Sequence, residues 1–398
     1  MTTRADAPDP RIRAELRALL DESLHDAHQR EGRLVGDLRS QPDRPLVLYG
    51  AGNLGCRTAS LLRSNGISVA AFIDNDEGRW GTNLEGIPIL SPSEGSSRLA
   101  DHGLVIVTVW RAEGGHDFRV TRDDLRKRGW SQVESFIALF WGLGVDALPY
   151  ITIDLPSNVL ASRDEVLGAA DLWSDERSLR EFVGQVRWRL TGDFAALPPP
   201  EPDQYFAAGI VSVKPDEVFV DCGAFTGDTM LDVARRVGSW RAYHAFEPDP
   251  ASFEMLKASL ATLPARLADS VHLHRAATAD RSFTAQFNAS GMGSASLSAS
   301  GAYEVECIAI DQVVADPTFI KMDIEGAEAA AISGASKAIR ERRPLLAIAA
   351  YHKQADLWEL PKLVHDLEPA YRLFLRPHVA EGFDTVLYAV PPDRNGIG

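Results

Sequence analysis

Twice in this chain a short apolar strand runs into a glycine-bearing loop and a helix, and an acid ends the following strand. The first copy is Pro45-Leu-Val-Leu-Tyr49, Gly50-Ala-Gly52-Asn-Leu-Gly55 and Asp74. The second is Val218-Phe-Val-Asp221, the loop 222–227 with Gly223 and Gly227, and Glu247. Strands that alternate with helices pair in parallel, and a parallel sheet needs cover on both faces. The pattern predicts an α/β protein with two Rossmann-like domains, and no other repeat is visible.

Leu16, Leu19, Leu20, Leu24 and Leu34 recur at helical spacing among charges, which predicts one helix within residues 1–40. The first α/β domain is placed at 41–148, with strands at 45–49, 69–73 and 104–109 and a Pro/Ser-rich connection at 87–97. A helical connector, 149–204, stops at Pro198-Pro199-Pro200, since prolines cannot continue a helix. The second domain, 205–398, has strands near 218–221, 242–247, 271–276, 303–310, 319–323 and 345–350. Its last two strands, 371–376 and 385–390, are too closely joined for a crossover, so they form an antiparallel hairpin at the sheet edge.

The 41 Lys+Arg and 56 Asp+Glu leave a net charge of −15. Gripping a phosphate backbone needs clustered cations, so nucleic acid is excluded as a partner and a small molecule is expected. Cys56, Cys222 and Cys307 show neither zinc nor redox spacing. The longest near-apolar run, 136–145, is about half a membrane span, and MTTRADAPDP lacks the apolar core of a signal peptide. A cytoplasmic protein without a membrane partner is expected; no feature encodes its oligomeric state.

Glycine at 223 and 227 lets the backbone approach a ligand where a Cβ would collide. Asp221 suits an ammonium group, and Glu247, twenty residues beyond Gly227, suits a ribose diol. On these residues alone the loop fits a dinucleotide, S-adenosylmethionine or no ligand.

The run 218–229 with Phe246-Glu247-Pro248 resembles the nucleotide-binding motifs of class I S-adenosylmethionine-dependent methyltransferases. Ile320-Lys-Met-Asp-Ile-Glu-Gly-Ala-Glu328 resembles the signature of the FkbM-type methyltransferase family, supported by Ile310-Asp311, Arg343-Pro344 and Tyr351-His352-Lys353. The resemblance spans about 205–390. It implies a methyltransferase sheet, S-adenosylmethionine as cofactor, and transfer to a hydroxyl of a sugar or secondary metabolite. Asp221, Gly223 and Gly227 would then cradle the methionine portion, Glu247 the ribose, and Asp280, after the third strand, the adenine.

Asp323 and Glu325 stand at the carboxyl end of a strand expected beside the first, where ligands of open α/β sheets bind. Two apart on a continuing strand, they share a face and reach one acceptor hydroxyl or one divalent ion. His352, ending the next strand, is the candidate base, and Lys321 an anchor for the acids. Asp323, Glu325 and His352 also suit Mg or Mn, although their spacing does not demand a metal. Carboxylates before a helix also stabilise its N-terminus, and that bland role competes with catalysis. The Ser/Gly stretch 290–301 is either a linker or a lid.

In the first domain, Gly50, Gly52, Gly55 and Asp74 meet the dinucleotide fingerprint, which predicts NAD with Asp74 on a ribose. No hydride-transfer partner stands near. The loop with 72–76 and 86–90 also resembles nucleotide-sugar-binding modules. The rivals to a methyltransferase are therefore an NAD-dependent oxidoreductase and a non-enzymatic nucleotide-sugar-binding scaffold; a domain used only for packing is a further reading.

Overall fold

Strands rich in Val, Leu and Ile, with no polar alternation, must be buried on both faces. In the computed structural model, which describes residues 9–110, 116–288, 296–297 and 303–394, two sheets bury such strands. The first has six, in the order Asn83–Leu84, Ile87–Leu90, Ala71–Ile73, Leu46–Tyr49, Leu104–Val107 and Val133–Ser135. Only its outermost pair is antiparallel. The second has seven, in the order Arg372–Pro377, Thr385–Val390, Leu345–Ala349, Phe319–Met322, Val218–Cys222, Ala242–Phe246 and Val271–His274. It is parallel apart from the closing hairpin, in which Arg372 lies opposite Val390. A small sheet of Ala276–Thr278, Tyr303–Ile308, Phe283–Asn288 and Ser296–Leu297 completes the set.

Strand order in the seven-stranded sheet reverses between Val218–Cys222 and Phe319–Met322. The carboxyl ends of strands at such a switch point diverge into a crevice, the place where open α/β sheets take ligands. Phe219 stacks between Tyr243 and Phe319, at centroid distances of 5.0 and 4.5 Å, and fixes these central strands from one face.

The N-terminal segment forms two helices, Pro10–Leu20 and Leu24–Ser40, rather than the single one expected. Ser23 accepts the Asp26 N–H and caps the second helix, so the leucine pattern restarts with a new direction. Ile12, Leu16 and Leu20 then pack in the core of the seven-stranded sheet, while Val35 and Leu38 join the core of the six-stranded one. Helix Glu176–Thr191 likewise serves both. Leu179, Phe182 and Val186 pack under the hairpin strands, whereas Trp188 lies in the first core.

Two further differences have local causes. Residues 87–97 hold the strand Ile87–Leu90 and the helix Pro92–Leu99, whose cap Ser91 accepts the Glu94 N–H. The expected strand 271–276 breaks into Val271–His274 and Ala276–Thr278, which belong to different sheets. Among the described residues no helix is long and apolar enough to cross a membrane. The 290–301 stretch lies outside the described residues except for Ser296–Leu297.

Candidate active site

At the switch point opens a cleft of about 690 Å³ lined by Gly223, Glu247, Asp323 and Glu325, among others. Four of the expected site residues therefore meet there. Asp221 and His352 lie behind its walls, Gly227 beneath its loop, and Asp280 outside it, exposed and paired with Arg281. The break at Arg275 moves the chain after the third strand into the small sheet. Ala277 and Thr278 face the cleft in place of Asp280.

The glycine loop is shaped more by packing than by ligand clearance. A Cβ on Gly223 (φ +78°) would run into the Asp323 carbonyl oxygen; one on Gly227 (φ +88°) would meet Leu256, Ser259 and Met230. Asp221, fully buried, takes the Lys321 ammonium at 3.0 Å and the Tyr243 hydroxyl at 2.7 Å. Lys321 also donates to the Gly223 carbonyl at 2.6 Å. Burial alone would lower the lysine's pKa, but Asp221 and Asp323 outweigh it and raise it, so the ammonium stays charged. The expected ligand for an ammonium group is thus already holding one from the protein itself.

On the opposite wall, Glu247 accepts the Phe225 and Asp249 N–H groups, each at 2.8 Å. Burial raises its carboxyl above the ordinary range against those donors. Asp249, 2% exposed, caps helix Pro250–Leu260 with Oδ1, while Oδ2 has no hydrogen-bond partner among the described residues. Thr278 Oγ1 is buried and unpartnered in the same sense. Both residues line the cleft.

The third group of residues gathers where strand Phe319–Met322 ends. Glu325 (φ +55°) and Gly326 (φ +93°) are both left-handed, and the chain turns there instead of continuing the strand. Glu328 holds this turn, accepting the Ile324 N–H at 3.0 Å and the Gly326 N–H at 3.4 Å. A non-glycine residue in that conformation costs about 1 kcal/mol or more and persists only where its surroundings over-determine it. The turn places Glu325 beside Asp323 on the cleft.

His352 donates from Nδ1 to the fully buried Glu328 at 2.8 Å, and its Nε2 faces Asp323 at 3.3 Å and Glu325 at 3.8 Å. Burial would lower its pKa, but Glu328, Asp323 and Glu325 raise it to about 10. The three carboxylates around the ring thus favour its protonated form. Its Nε2 edge, toward Asp323 and Glu325, is the one turned to the cleft carboxylates. Among the described residues, no three His, Cys, Asp or Glu side chains are grouped to hold a metal ion.

Asp323 accepts the Tyr205 hydroxyl at 2.5 Å and the Tyr351 hydroxyl at 3.3 Å. Burial pushes its carboxyl up, but His352, Lys321 and the two tyrosines hold it below the usual range. Glu325 differs. Burial, and then Asp323 and Glu328, outweigh His352 and lift it to about 7. The environment thus makes Asp323 the stronger acid of two neighbouring carboxylates and Glu325 the weaker. Asp384, also on the cleft, is lifted to about 6 by burial and Asp323.

Tyr205, Asp249, Glu328 and Asp384 went unrecognised in the sequence. Glu328 closes a quoted motif and Asp249 follows Glu247 by two residues, so both were within reach. Tyr205 and Asp384 lie outside any motif.

In the six-stranded sheet, the Asp74 carboxylate accepts the Ala51 N–H at 2.7 Å and the Asp76 N–H at 2.9 Å. Arg79 donates across the same loop to the Ala51 carbonyl at 2.7 Å. Gly55 is needed where a Cβ would strike the Gly50 carbonyl, whereas Gly52 meets nothing within 4 Å. Gly50 (φ +107°) packs on Thr108 and Val109.

Residues 221–376 match the Methyltransferase FkbM domain family. A crystal structure of the methyltransferase FkbM from Methylobacillus flagellatus KT is similar at a TM-score of 0.80 and 23% identity, over 96% of this chain and 100% of that one. A UDP-D-quinovosamine 4-dehydrogenase from Vibrio fischeri is 24% identical over 23% of this chain and 75% of its own, with a TM-score of 0.18. Comparison with curated proteins gives no match. The methyltransferase FkbM domain match at residues 221–376 thus lies on a mixed α/β fold of parallel-dominated sheets.

Proposed function

We propose that the chain moves a methyl group from S-adenosylmethionine to a hydroxyl oxygen of an uncharged, polyhydroxylated small molecule, a sugar or a secondary metabolite. The observation that carries this reading is the meeting, in one cleft at the sheet's switch point, of Glu247 on one wall with Asp323 and Glu325 on the other.

The cofactor fits that wall. Glu247 keeps lone pairs for a ribose diol, and Asp249 and Thr278 line the same wall. Gly223 forms part of the floor; Asp221 and Gly227 act by shaping it. When bound, the sulfonium supplies an activated methyl carbon, so the protein's task is alignment and proton handling. Asp323, held by two tyrosines and His352, orients the acceptor hydroxyl. Glu325 Oε takes the proton that leaves that hydroxyl as its oxygen becomes methylated. His352 stays protonated and steadies both carboxylates.

The walls favour a neutral acceptor. Asp323, Glu325 and Asp384 surround its end of the cleft, and the nearby Lys321 is already paired with Asp221. A phosphate backbone would be repelled there. On this reading the loop 50–55 is a packing turn rather than a dinucleotide cradle, because Asp74 and Arg79 close it.

The test uses methyl-deuterated S-adenosylmethionine and a panel of free glycosides and polyols, with mass spectrometry of products. Label on an acceptor oxygen is expected, and turnover at least about tenfold lower in Asp323→Asn, a modest share of what positioned groups contribute. Full activity of that variant would refute the assignment.

A further inference from the structure

The turn between the two hairpin strands carries three left-handed residues, Glu381 (φ +66°), Gly382 (φ +86°) and Asp384 (φ +48°). Two of them are not glycine, and such backbone lasts only where other contacts impose it. Those contacts come from the six-stranded sheet's side of the molecule. Glu381, 5% exposed, accepts the Phe118 N–H at the start of helix Phe118–Lys127, where a carboxylate also meets the positive end of the helix dipole. Its Oε2 lies 3.1 Å from His116 Nδ1, and its carbonyl accepts the Trp110 indole N–H at 3.1 Å. Phe383 packs on Trp110 at 4.4 Å between ring centroids and backs Tyr351 edge-on at 6.2 Å. Tyr351 in turn donates to Asp323.

We propose that Glu381 is a positioning residue through which the first domain completes the acceptor end of the cleft, holding the strained turn so that Asp384 and the Tyr351–Asp323 pair face the methyl donor. This rests on the reading of the cleft given above. The first domain thereby acts on the reaction without contributing a group that touches substrate. The turn and its partners are more than 260 residues apart in the chain, so no local signal announces the contact.

The test uses the full chain and needs no acceptor. Glu381→Gly removes the anchor while suiting the positive φ; Glu381→Gln and His116→Ala weaken it less, should the glycine variant fold poorly. Hydrogen exchange over residues 380–386 should quicken by at least about tenfold, the mark of local opening. The preference for S-adenosylmethionine over S-adenosylhomocysteine should fall about three- to tenfold, as one carboxylate withdraws from the sulfonium. Affinity for S-adenosylhomocysteine itself should hold within about twofold, which a general loss of structure would not allow. Unchanged exchange, or faster exchange with a wild-type preference, would overturn the proposal. Asp384→Asn separates the two failures. If it lowers the preference where Glu381→Gly does not, the clamp alone is wrong; if it too leaves the preference unaltered, the reading of the cleft falls with it.

Discussion

Glu325 should make the binding of S-adenosylmethionine depend on pH in a way that S-adenosylhomocysteine does not share. The two ligands carry the same amino and carboxylate groups and differ in the charged sulfonium, so their affinity ratio isolates that charge. Glu325 is lifted to about 7, so it is neutral below that value and anionic above it. A cation gains only from the anion; the ratio must therefore rise with pH through this window. At a charge separation of about 5.5 Å and an effective dielectric constant of about 20, such a pair gains about 3 kcal/mol. Solvent reaches 34% of the Glu325 side chain, which cuts the gain to about 1–1.5 kcal/mol, a factor of about ten. Calorimetric titration of both ligands at pH 5.5 and pH 8 reads this ratio directly. Asp384, lifted to about 6, adds a smaller step at the lower edge, which Glu325→Gln should leave in place. A ratio that stays flat across the range, or one that rises equally in Glu325→Gln, would refute the reasoning.

Other variants probe the remaining walls. Glu247→Ala should weaken both ligands by about 1.5–3 kcal/mol, the range for hydrogen bonds to a charged group, and unchanged calorimetric affinity would remove Glu247 from the site. Lys321→Gln should destabilise the fold by about 3–5 kcal/mol in urea unfolding, because it strands the buried Asp221 carboxylate. A loss under about 1 kcal/mol would show that the Tyr243 hydroxyl alone is enough to hold Asp221.

Local pattern carried the sequence reading where structure is decided locally. The runs 45–49 and 218–221 are too apolar for anything but a strand covered on both faces, and Gly382 with its short connection forced the antiparallel hairpin. The N-terminal leucines misled because helical spacing continues across Ser23, and only the cap at Asp26 shows the break. The carboxylates of the cleft were visible because the Lys321–Glu328 run gathers them within one strand end. Their division of labour was not, because it depends on contacts between distant segments. His352 looks like a base in sequence, and its contacts with Glu328 and Asp323, which favour the protonated ring, arise only in the fold. Tyr205 reaches Asp323 from 118 residues away, and nothing beside either residue announces the bond.

The claim that one cleft binds the cofactor along Glu247 and presents its methyl to Asp323 and Glu325 is tested most directly by a crystal structure with S-adenosylhomocysteine. The ribose hydroxyls should lie on Glu247, a donor should satisfy Asp249 Oδ2, and the sulfur should face the wall formed by Asp323 and Glu325. A ligand seated elsewhere, or bound in this cleft with its sulfur turned away from those two carboxylates, would contradict the account.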